Sequence, residues 1–288
     1  MNKDKSAKGK TSMRKGLSRL ITIVCIAVFV YAAYGLYNTF MEYYQNRQVL
    51  SVAQEIYYQP VADEDAVSGD GVSQAKSETK EGAEASTGGS QGSQGSLSSE
   101  IRPQFKELQE INSDIVGWIA IDDTPINYPI LQSDNNNDYL QLNYNEEQSI
   151  AGSIFMDYRN DITSPSPNTI IYGHRMKDGS MFNSLKKFLD KDFFDQHKTI
   201  KFDTLYGSYD AEVFAVYNTT TDFDYIQTDF NSDEEYQQLL SDIEGKSKHH
   251  TGTEINADDQ IITLSTCDYL LDPDKGRLVV HAKIVKKG

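Results

Sequence analysis

Cys267 is one of two cysteines in this 288-residue chain, and its thiol is a candidate nucleophile. It ends the strand-like run IITLSTC, in which Ser265 and Cys267 share one face and Leu264 lies on the other. A polar face is unusual for a structural cysteine, which is normally a small buried hydrophobe. The second cysteine, Cys25, lies in a distant apolar run, so the sequence contains no disulfide framework.

A nucleophilic thiol needs a base or a positive neighbour, because an ordinary thiol is mostly protonated at neutral pH. Among five histidines, His174 ends the strand-like run NTIIYGH and enters a turn-rich stretch, where a rigid scaffold can present a functional group. His281 lies inside the run RLVVHAKIV, where a buried, hydrogen-bonded histidine is the simpler interpretation. The other three fall in polar segments or after a helix and are interpreted as surface or cap residues: His197, His249 and His250.

Arg277 is the third candidate for chemistry. It follows the turn DPDKG and begins a strand-like run ten residues after Cys267, so two strands joined by this turn would place the two side chains together. Arginine stays protonated and cannot act as a general base. It can stabilise a thiolate, hold a substrate carbonyl or stabilise the oxyanion of a tetrahedral intermediate. An exposed arginine on an edge strand is the alternative interpretation.

Eight strand-like runs must position these residues. Spaced by turn residues, they predict a closed or nearly closed β-barrel with helices in its connections. The runs are VGWIAI (116–121), INYPIL (126–131), GSIFMD (152–157), NTIIYGH (168–174), KTIKFDT (198–204), SYDAEVFAVYN (208–218), QIITLSTC (260–267) and RLVVHAKIV (277–285).

Three helical patterns accompany the strands. A helix from about Arg102 to Asn112 precedes them, with Phe105, Leu108 and Ile111 on one face. A second pattern covers about Met181–Phe194. The third is SDEEYQQLLSDIEG, which begins with Ser232 as its N-cap.

The N-terminal part of the chain predicts a membrane anchor. Residues 1–19 form a basic tail on an otherwise acidic chain of net charge −16, and an acidic body argues against nucleic-acid binding. Residues 20–40 carry no charge and are long enough to cross a bilayer as one helix. A signal peptide is the alternative, but it needs a shorter apolar core and a small-residue cleavage site. The basic flank belongs inside, which leaves the C-terminal body extracellular.

Residues 41–99 predict a stalk and then, from about Ala62, a flexible Gly/Ser-rich tether with almost nothing apolar to bury. The folded domain is expected to span 100–288. Its acidic pairs, Asp122–Asp123 and Asp258–Asp259, are interpreted as solvated loop carboxylates. Neither a metal nor a cofactor is therefore expected.

The order and the residues of the motifs resemble those of the sortase family, and of class B within it. TLSTC, followed ten residues later by the arginine of GRLVVHAKI, is similar to the sortase signature, and NTIIYGHRMKDGSMFNSLKKFLD resembles the histidine segment of class B. The stretches GSIFMDYRND and INYPILQSDNNNDYL also look like class B segments. The insertion at about Thr221–Thr253 is similar to the extra class B helix, and the resemblance covers roughly Phe105–Lys286.

The resemblance implies an eight-stranded sortase-type barrel on the outer face of a Gram-positive membrane. Cys267 would be the nucleophile, His174 the acid/base and Arg277 the clamp for substrate and oxyanion. This thiol-peptidase-like enzyme would cleave a C-terminal sorting motif after threonine and transfer the surface protein, through a thioacyl-enzyme, to an amine of the cell wall precursor or of a pilin. The residues implied in substrate binding are Ser265, Thr266, Tyr172 and Asn136.

Asp268, directly after Cys267, is a variable position in this resemblance, where a carboxylate would raise the thiol pKa or contact substrate. Two other functions remain open. A hydrolytic cysteine protease would use the same cysteine and histidine. A cell-surface binding module without catalysis is the second, and the complete Cys–His–Arg set weighs against it.

Overall fold

A computed structural model of the protein describes residues 4–60 and 100–286, with side chains from residue 19 to residue 285 within those ranges. The predicted tether and the side chains of the basic tail lie outside the described residues.

The eight predicted strands are present and close into a barrel. They are β1 (Ile115–Ala120), β2 (Asn127–Leu131), β3 (Ile154–Met156), β4 (Asn168–Tyr172), β5 (Thr199–Thr204), β6 (Ser208–Thr220), β7 (Ile261–Cys267) and β8 (Gly276–Lys286). Their order around the barrel is β1-β2-β3-β4-β7-β8-β6-β5. The β2–β3 and β4–β7 pairs are parallel and the others are antiparallel. Closure satisfies the strand edges and confirms the predicted fold class.

The helices lie in the connections and before the barrel. Asp190 splits the predicted helix Met181–Phe194, because its side chain accepts hydrogen bonds from the backbone N–H groups of Asp192 and Phe193 and starts a new helix. Ser232 caps the last helix as predicted, whereas Ile111 is 43% exposed and does not share the buried face of Phe105. Within residues 4–60 and 100–286, the helices are α1 (Asp4–Tyr57), α2 (Pro103–Ile111), α3 (Lys191–Gln196), α4 (Asp233–Lys246) and two 3₁₀ helices, Asp138–Leu140 and Phe182–Leu189.

The barrel wall around β7 is buried on both sides. Leu264 faces the central core, as strand alternation predicts. The opposite face is covered by the insertion, in which Tyr236, Leu240 and Ile243 of α4 pack on β6, β7 and β8. Ser265 is consequently only 2% exposed. At Thr263 and Ser265 the polar face of β7 is therefore a hydrogen-bonded layer between the barrel and the insertion, whereas Cys267, at the end of the strand, stays partly exposed.

Helix α1 combines an exposed apolar segment with a docked end. Within Arg19–Tyr57 its mean hydropathy reaches 2.2. This segment is long and apolar enough to cross a membrane. Its last turns pack on the barrel, where Tyr57 stacks on Trp118 with ring centroids 4.1 Å apart and donates a hydrogen bond to Asp203. Gln54 donates to the carbonyl oxygen of Asn127 at 2.8 Å. The predicted stalk thus ends in a helix that is part of the folded body.

His281 is a buried, hydrogen-bonded histidine, which confirms the simpler interpretation of its sequence context. The Thr263 hydroxyl donates to Asn168 at 2.6 Å, so it accepts from Nδ1 of His281 at 2.8 Å. Nε2 of His281 then accepts from the Tyr217 hydroxyl at 2.7 Å. Burial lowers the pKa of His281 to about 3, so the ring is neutral in the folded protein.

This buried ring predicts acid sensitivity. Because the pKa of His281 is about 3 when folded and about 6.5 when unfolded, the unfolded chain binds the extra proton between these values. The free energy of unfolding should fall as the pH drops below about 6.5, by up to about 1.4 kcal/mol per pH unit. Urea unfolding between about pH 4.5 and 7.5 measures this slope.

His281→Gln should flatten the slope in this range, whatever its effect on stability at neutral pH. His250→Gln, at an exposed position, is the control and should retain the wild-type slope. If the free energy of unfolding falls equally steeply with decreasing pH in wild type and in His281→Gln, the prediction is wrong.

Candidate active site

Two neighbouring parallel strands bring Cys267 and His174 to the same end of the barrel. Tyr172 of β4 is the register partner of Ser265 of β7, and Gly173 N–H donates to the Ser265 carbonyl at 3.3 Å. Cys267 is the last residue of β7, and His174 lies two residues beyond the end of β4. Continuing the parallel register by two residues therefore places His174 alongside Cys267.

Arg277 reaches the same place from the other side of β7. It is the antiparallel register partner of Cys267. The turn that joins the two strands closes tightly, since a Cβ at Gly276 would collide with the carbonyl oxygen of Asp268. Nη1 of Arg277 donates to the carbonyl oxygens of Asp274 and Gly276 at 3.2 and 2.9 Å. Its Nη2 and Nε make no hydrogen bond to any described residue, so they are available to a ligand.

A groove of about 250 Å³ unites the residues that the sequence singled out. Leu140, Phe155 and Gly173 complete its lining. All seven predicted site residues line this groove: Asn136, Tyr172, His174, Ser265, Thr266, Cys267 and Arg277.

Cys267 and His174 are both half-buried. Cys267 is a free thiol. The Nε2 atom of His174 lies 2.8 Å from the carbonyl oxygen of Leu140, which can only accept, so Nε2 carries a proton. Nδ1 is then the nitrogen that can exchange a proton with substrate or thiol.

A buried carboxylate organises one wall of the groove. Asp157, fully buried, accepts hydrogen bonds from Asn136 at 2.9 Å, from Tyr172 at 2.8 Å and from two nitrogens of Arg159 at 2.8 Å each. Burial acts to raise the pKa of Asp157, but these hydrogen bonds outweigh it and hold the pKa below its ordinary value. The side chains of Asn136 and Tyr172 are therefore held in place by their hydrogen bonds to Asp157.

The two predicted binding residues on β7, Ser265 and Thr266, differ in their hydrogen bonding. The Ser265 hydroxyl is within 2.9 Å of the Tyr225 hydroxyl. Burial raises the pKa of Tyr225, so this phenol stays neutral beside the groove. The Thr266 hydroxyl is buried and has no hydrogen-bond partner among the described residues. Of the four predicted binding residues, Thr266 is thus the one with a buried polar atom that is unsatisfied among the described residues.

An ion pair lies immediately beyond Cys267 and His174. Arg175 follows His174, Asp268 follows Cys267, and Nη1 of Arg175 pairs with Oδ2 of Asp268. The other carboxylate oxygen accepts the backbone N–H of Leu270 at 2.8 Å. The Asp268 carboxylate thus joins the ends of the two parallel strands through Arg175.

Sequence reasoning missed several of these supporting residues. The ion pair had a local signal, because its members directly follow the two reactive residues. The Asp157–Arg159 pair lies within GSIFMDYRND, which was noted only as a resemblance. Leu140 and Tyr225 had no signal, since tertiary folding alone brings them to the groove.

Comparisons with known proteins agree with this architecture. A family model described as the sortase domain matches residues 119–285. Sortase B of Listeria monocytogenes is 39% identical over 271 residues, which cover 94% of this chain and 98% of the relative. Sortase B of Staphylococcus aureus is 46% identical over 186 residues, which cover 65% of this chain and 76% of the relative.

Solved structures give the same result. Sortase B from B. anthracis in complex with AAEK1 has a TM-score of 0.69 and 50% sequence identity, covering 86% of this chain and all of that one. The Staphylococcus aureus sortase B–substrate complex has a TM-score of 0.63 and 45% identity, covering 66% of this chain and 88% of that one. A family match across more than half of the chain, together with relatives of this similarity, establishes that the chain belongs to the sortase family of cysteine transpeptidases, and to its class B.

Proposed function

We propose that this sortase cleaves a C-terminal sorting motif after a threonine and joins the released acyl group to an amine. Cys267 is the nucleophile, His174 the proton donor and acceptor, and Arg277 the clamp. The observation that carries the proposal is the convergence of these three residues on one groove, from the ends of β4, β7 and β8.

In the first half-reaction, Nδ1 of His174 takes the thiol proton of Cys267, Sγ attacks the threonine carbonyl carbon and a C–S bond forms. The carbonyl oxygen becomes an oxyanion, which the free guanidinium nitrogens of Arg277 stabilise. The C–N bond then breaks, and the leaving amine takes a proton from Nδ1 of His174. The product is a thioacyl-enzyme.

In the second half-reaction, an acceptor amine attacks the thioester carbonyl. A new C–N bond forms, the C–S bond breaks, and Cys267 leaves as a thiolate beside Arg277. Nδ1 of His174 removes the proton that the amine nitrogen must lose. Water in place of the amine would give hydrolysis, so preference for the amine separates a transpeptidase from a protease.

The walls of the groove bind the sorting motif. Tyr172 and Asn136, fixed by Asp157, form one rigid side. Ser265 and Thr266 form the other, where the unsatisfied Thr266 hydroxyl is suited to a peptide group of the substrate. A site whose side chains are locked by hydrogen bonds before binding loses little entropy when substrate enters.

The Arg175–Asp268 pair is a positioning element in this proposal. It lies one residue beyond Cys267 and His174, where β4 and β7 have ended, so it fixes the separation of the two strand ends. Asp268 is nearly buried, and removal of either partner would leave the other unpaired. The pair therefore acts on the chemistry through the spacing of thiol and imidazole.

Residues 1–19 are the cytoplasmic tail in this proposal, residues 20–40 cross the membrane once, residues 41–99 form the stalk and tether, and residues 100–288 hold the extracellular catalytic domain. The exposed apolar segment of α1 and the basic flank support this topology. The donors are surface proteins that carry a sorting signal, in a Gram-positive cell. The acceptor is an amine of the cell wall precursor or of a pilin.

The first prediction tests the reaction itself. The full chain in detergent, mixed with a panel of labelled sorting peptides, should form an amide product when triglycine is present. Cys267→Ala should abolish turnover, whereas Cys25→Ala, which removes the other thiol, should retain it. Mass spectrometry of the products measures both.

If triglycine changes neither the rate of cleavage nor the products, this result would support a hydrolase. Absence of turnover on every peptide, together with no alkylation of Cys267 by iodoacetamide, would sink the enzymatic proposal.

The second prediction concerns the clamp. Arg277→Lys should lower kcat/KM by about 10²–10³, because lysine keeps the charge but lacks the planar fork of donors. Lys275→Arg, at an exposed position two residues away, is the control and should stay near wild type. Peptide-cleavage kinetics measure both. Wild-type activity in Arg277→Lys would refute the clamp role.

The third prediction concerns the ion pair. Arg175→Gln and Asp268→Asn should each lower kcat about tenfold with little change in KM, because the pair orients reacting groups without contacting substrate. The double variant should be no worse than either single variant, since both remove one interaction. Arg175→Lys should recover part of the activity.

Lys191→Gln, which breaks the distant surface pair with Asp195, is the control and should leave kcat unchanged. Steady-state kinetics and melting temperatures are measured together. Additive effects of Arg175→Gln and Asp268→Asn, or losses of kcat that only follow loss of folded protein, would contradict the positioning role.

A further inference from the structure

A cleft lies between α1 and the loop at 141–150. Its volume is about 610 Å³, more than twice that of the catalytic groove. One wall consists of Glu42, Gln45, Asn46 and Val49, and the other of Gln141, Asn143, Glu147, Gln148, Ser149 and Ile150.

The lining is rich in amides and carboxylates and contains no lysine or arginine among the described residues. Asn143 donates to the Glu147 carboxylate at 3.1 Å and accepts its backbone N–H at 3.0 Å, so this side is preorganised. Such a surface pairs with hydroxyl and peptide groups and repels anions.

Asn46 presents a polar side chain to the cleft. The residue is only 7% exposed, it lines the cleft, and its side-chain amide makes no hydrogen bond to any described residue. A polar ligand in the cleft would pair with it.

The cleft lies close to the expected membrane surface. Glu42 is two residues beyond the end of the apolar segment at Phe40, and Val49 is about 14 Å beyond it along the helix axis. Helix α1 is docked on the barrel by the Tyr57–Trp118 stack, so the cleft is held at this height. A molecule anchored in the outer leaflet can reach it with only its head group.

The cleft also adjoins the catalytic groove. Leu140 lines the groove, and its carbonyl oxygen accepts the hydrogen bond of His174. The next residue, Gln141, lines the cleft, so the two sites share one loop as a wall. On the other side, Arg47 of α1 pairs with Asp178, in the loop that follows His174, at 3.4 Å.

We propose that this cleft binds the second substrate: the hydroxyl- and amide-rich, non-anionic head of a membrane-anchored acceptor, whose amine extends past Leu140 to the thioacyl carbonyl. This inference rests on the proposed transpeptidation. It assigns the acceptor a site distinct from the groove that holds the sorting motif, and it gives α1 a role in substrate binding in addition to anchoring.

The test uses the full chain in lipid vesicles with a labelled sorting peptide and two acceptors. One is soluble triglycine, and the other is a vesicle lipid that carries a disaccharide–peptide with a free primary amine. Asn46→Leu and Gln148→Trp should each raise KM for the lipid-linked acceptor by about fivefold or more, as expected for lost hydrogen bonds or a filled site. Transfer to triglycine and the rate of thioacyl formation should stay within about twofold of wild type.

Gln48→Leu is the matched control, because Gln48 is an exposed amide on the same helix that does not line the cleft. It should leave both acceptors unaffected. Unchanged KM for the lipid-linked acceptor in both cleft variants would overturn the inference, and so would equal loss with both acceptors. Failure of wild-type enzyme to use either amine would refute the proposed transpeptidation itself.

Discussion

The parallel pairing of β4 with β7 is the constraint on which the rest of this structure depends. Residues in parallel neighbours advance together, so the register Tyr172↔Ser265 carries His174 and Cys267 to the same barrel end. The antiparallel β8 then returns Arg277 to Cys267 through a turn that admits only glycine at position 276. Thiol, imidazole and guanidinium therefore come from three rigid backbone segments, and none of them depends on a long flexible loop.

Two buried polar layers hold this arrangement. On the outer side, neutral His281 is locked between Tyr217 and Thr263 beneath the insertion. On the groove side, Asp157 gathers Arg159, Tyr172 and a loop asparagine. Buried polar groups are costly when unpaired, so each satisfied layer admits only one register of its strands. The Thr266 hydroxyl is the exception, because it is buried and has no hydrogen-bond partner among the described residues.

Docking of α1 joins its apolar segment to the barrel. The helix ends against Trp118 and Asp203. Along its final turns α1 also contacts the loop that follows His174, through Arg47 and Asp178. The distance from the apolar segment to the barrel is thus set by helix rise, at about 1.5 Å per residue.

The sequence by itself determined the eight strands, the faces of β7, the α4 insertion and seven of the ten residues that line the groove. These features follow from the alternation of polar and apolar residues, from turn residues and from short motifs, all of which are local in the chain. It misjudged the Met181–Phe194 segment, where the local cap at Asp190 overrides one continuous hydrophobic pattern. Only the tertiary structure showed that the polar face of β7 is buried, that Asp268 pairs with Arg175, and that Leu140 holds His174. Those partners are set by which strands become neighbours in the closed barrel, a long-range choice that no local pattern encodes.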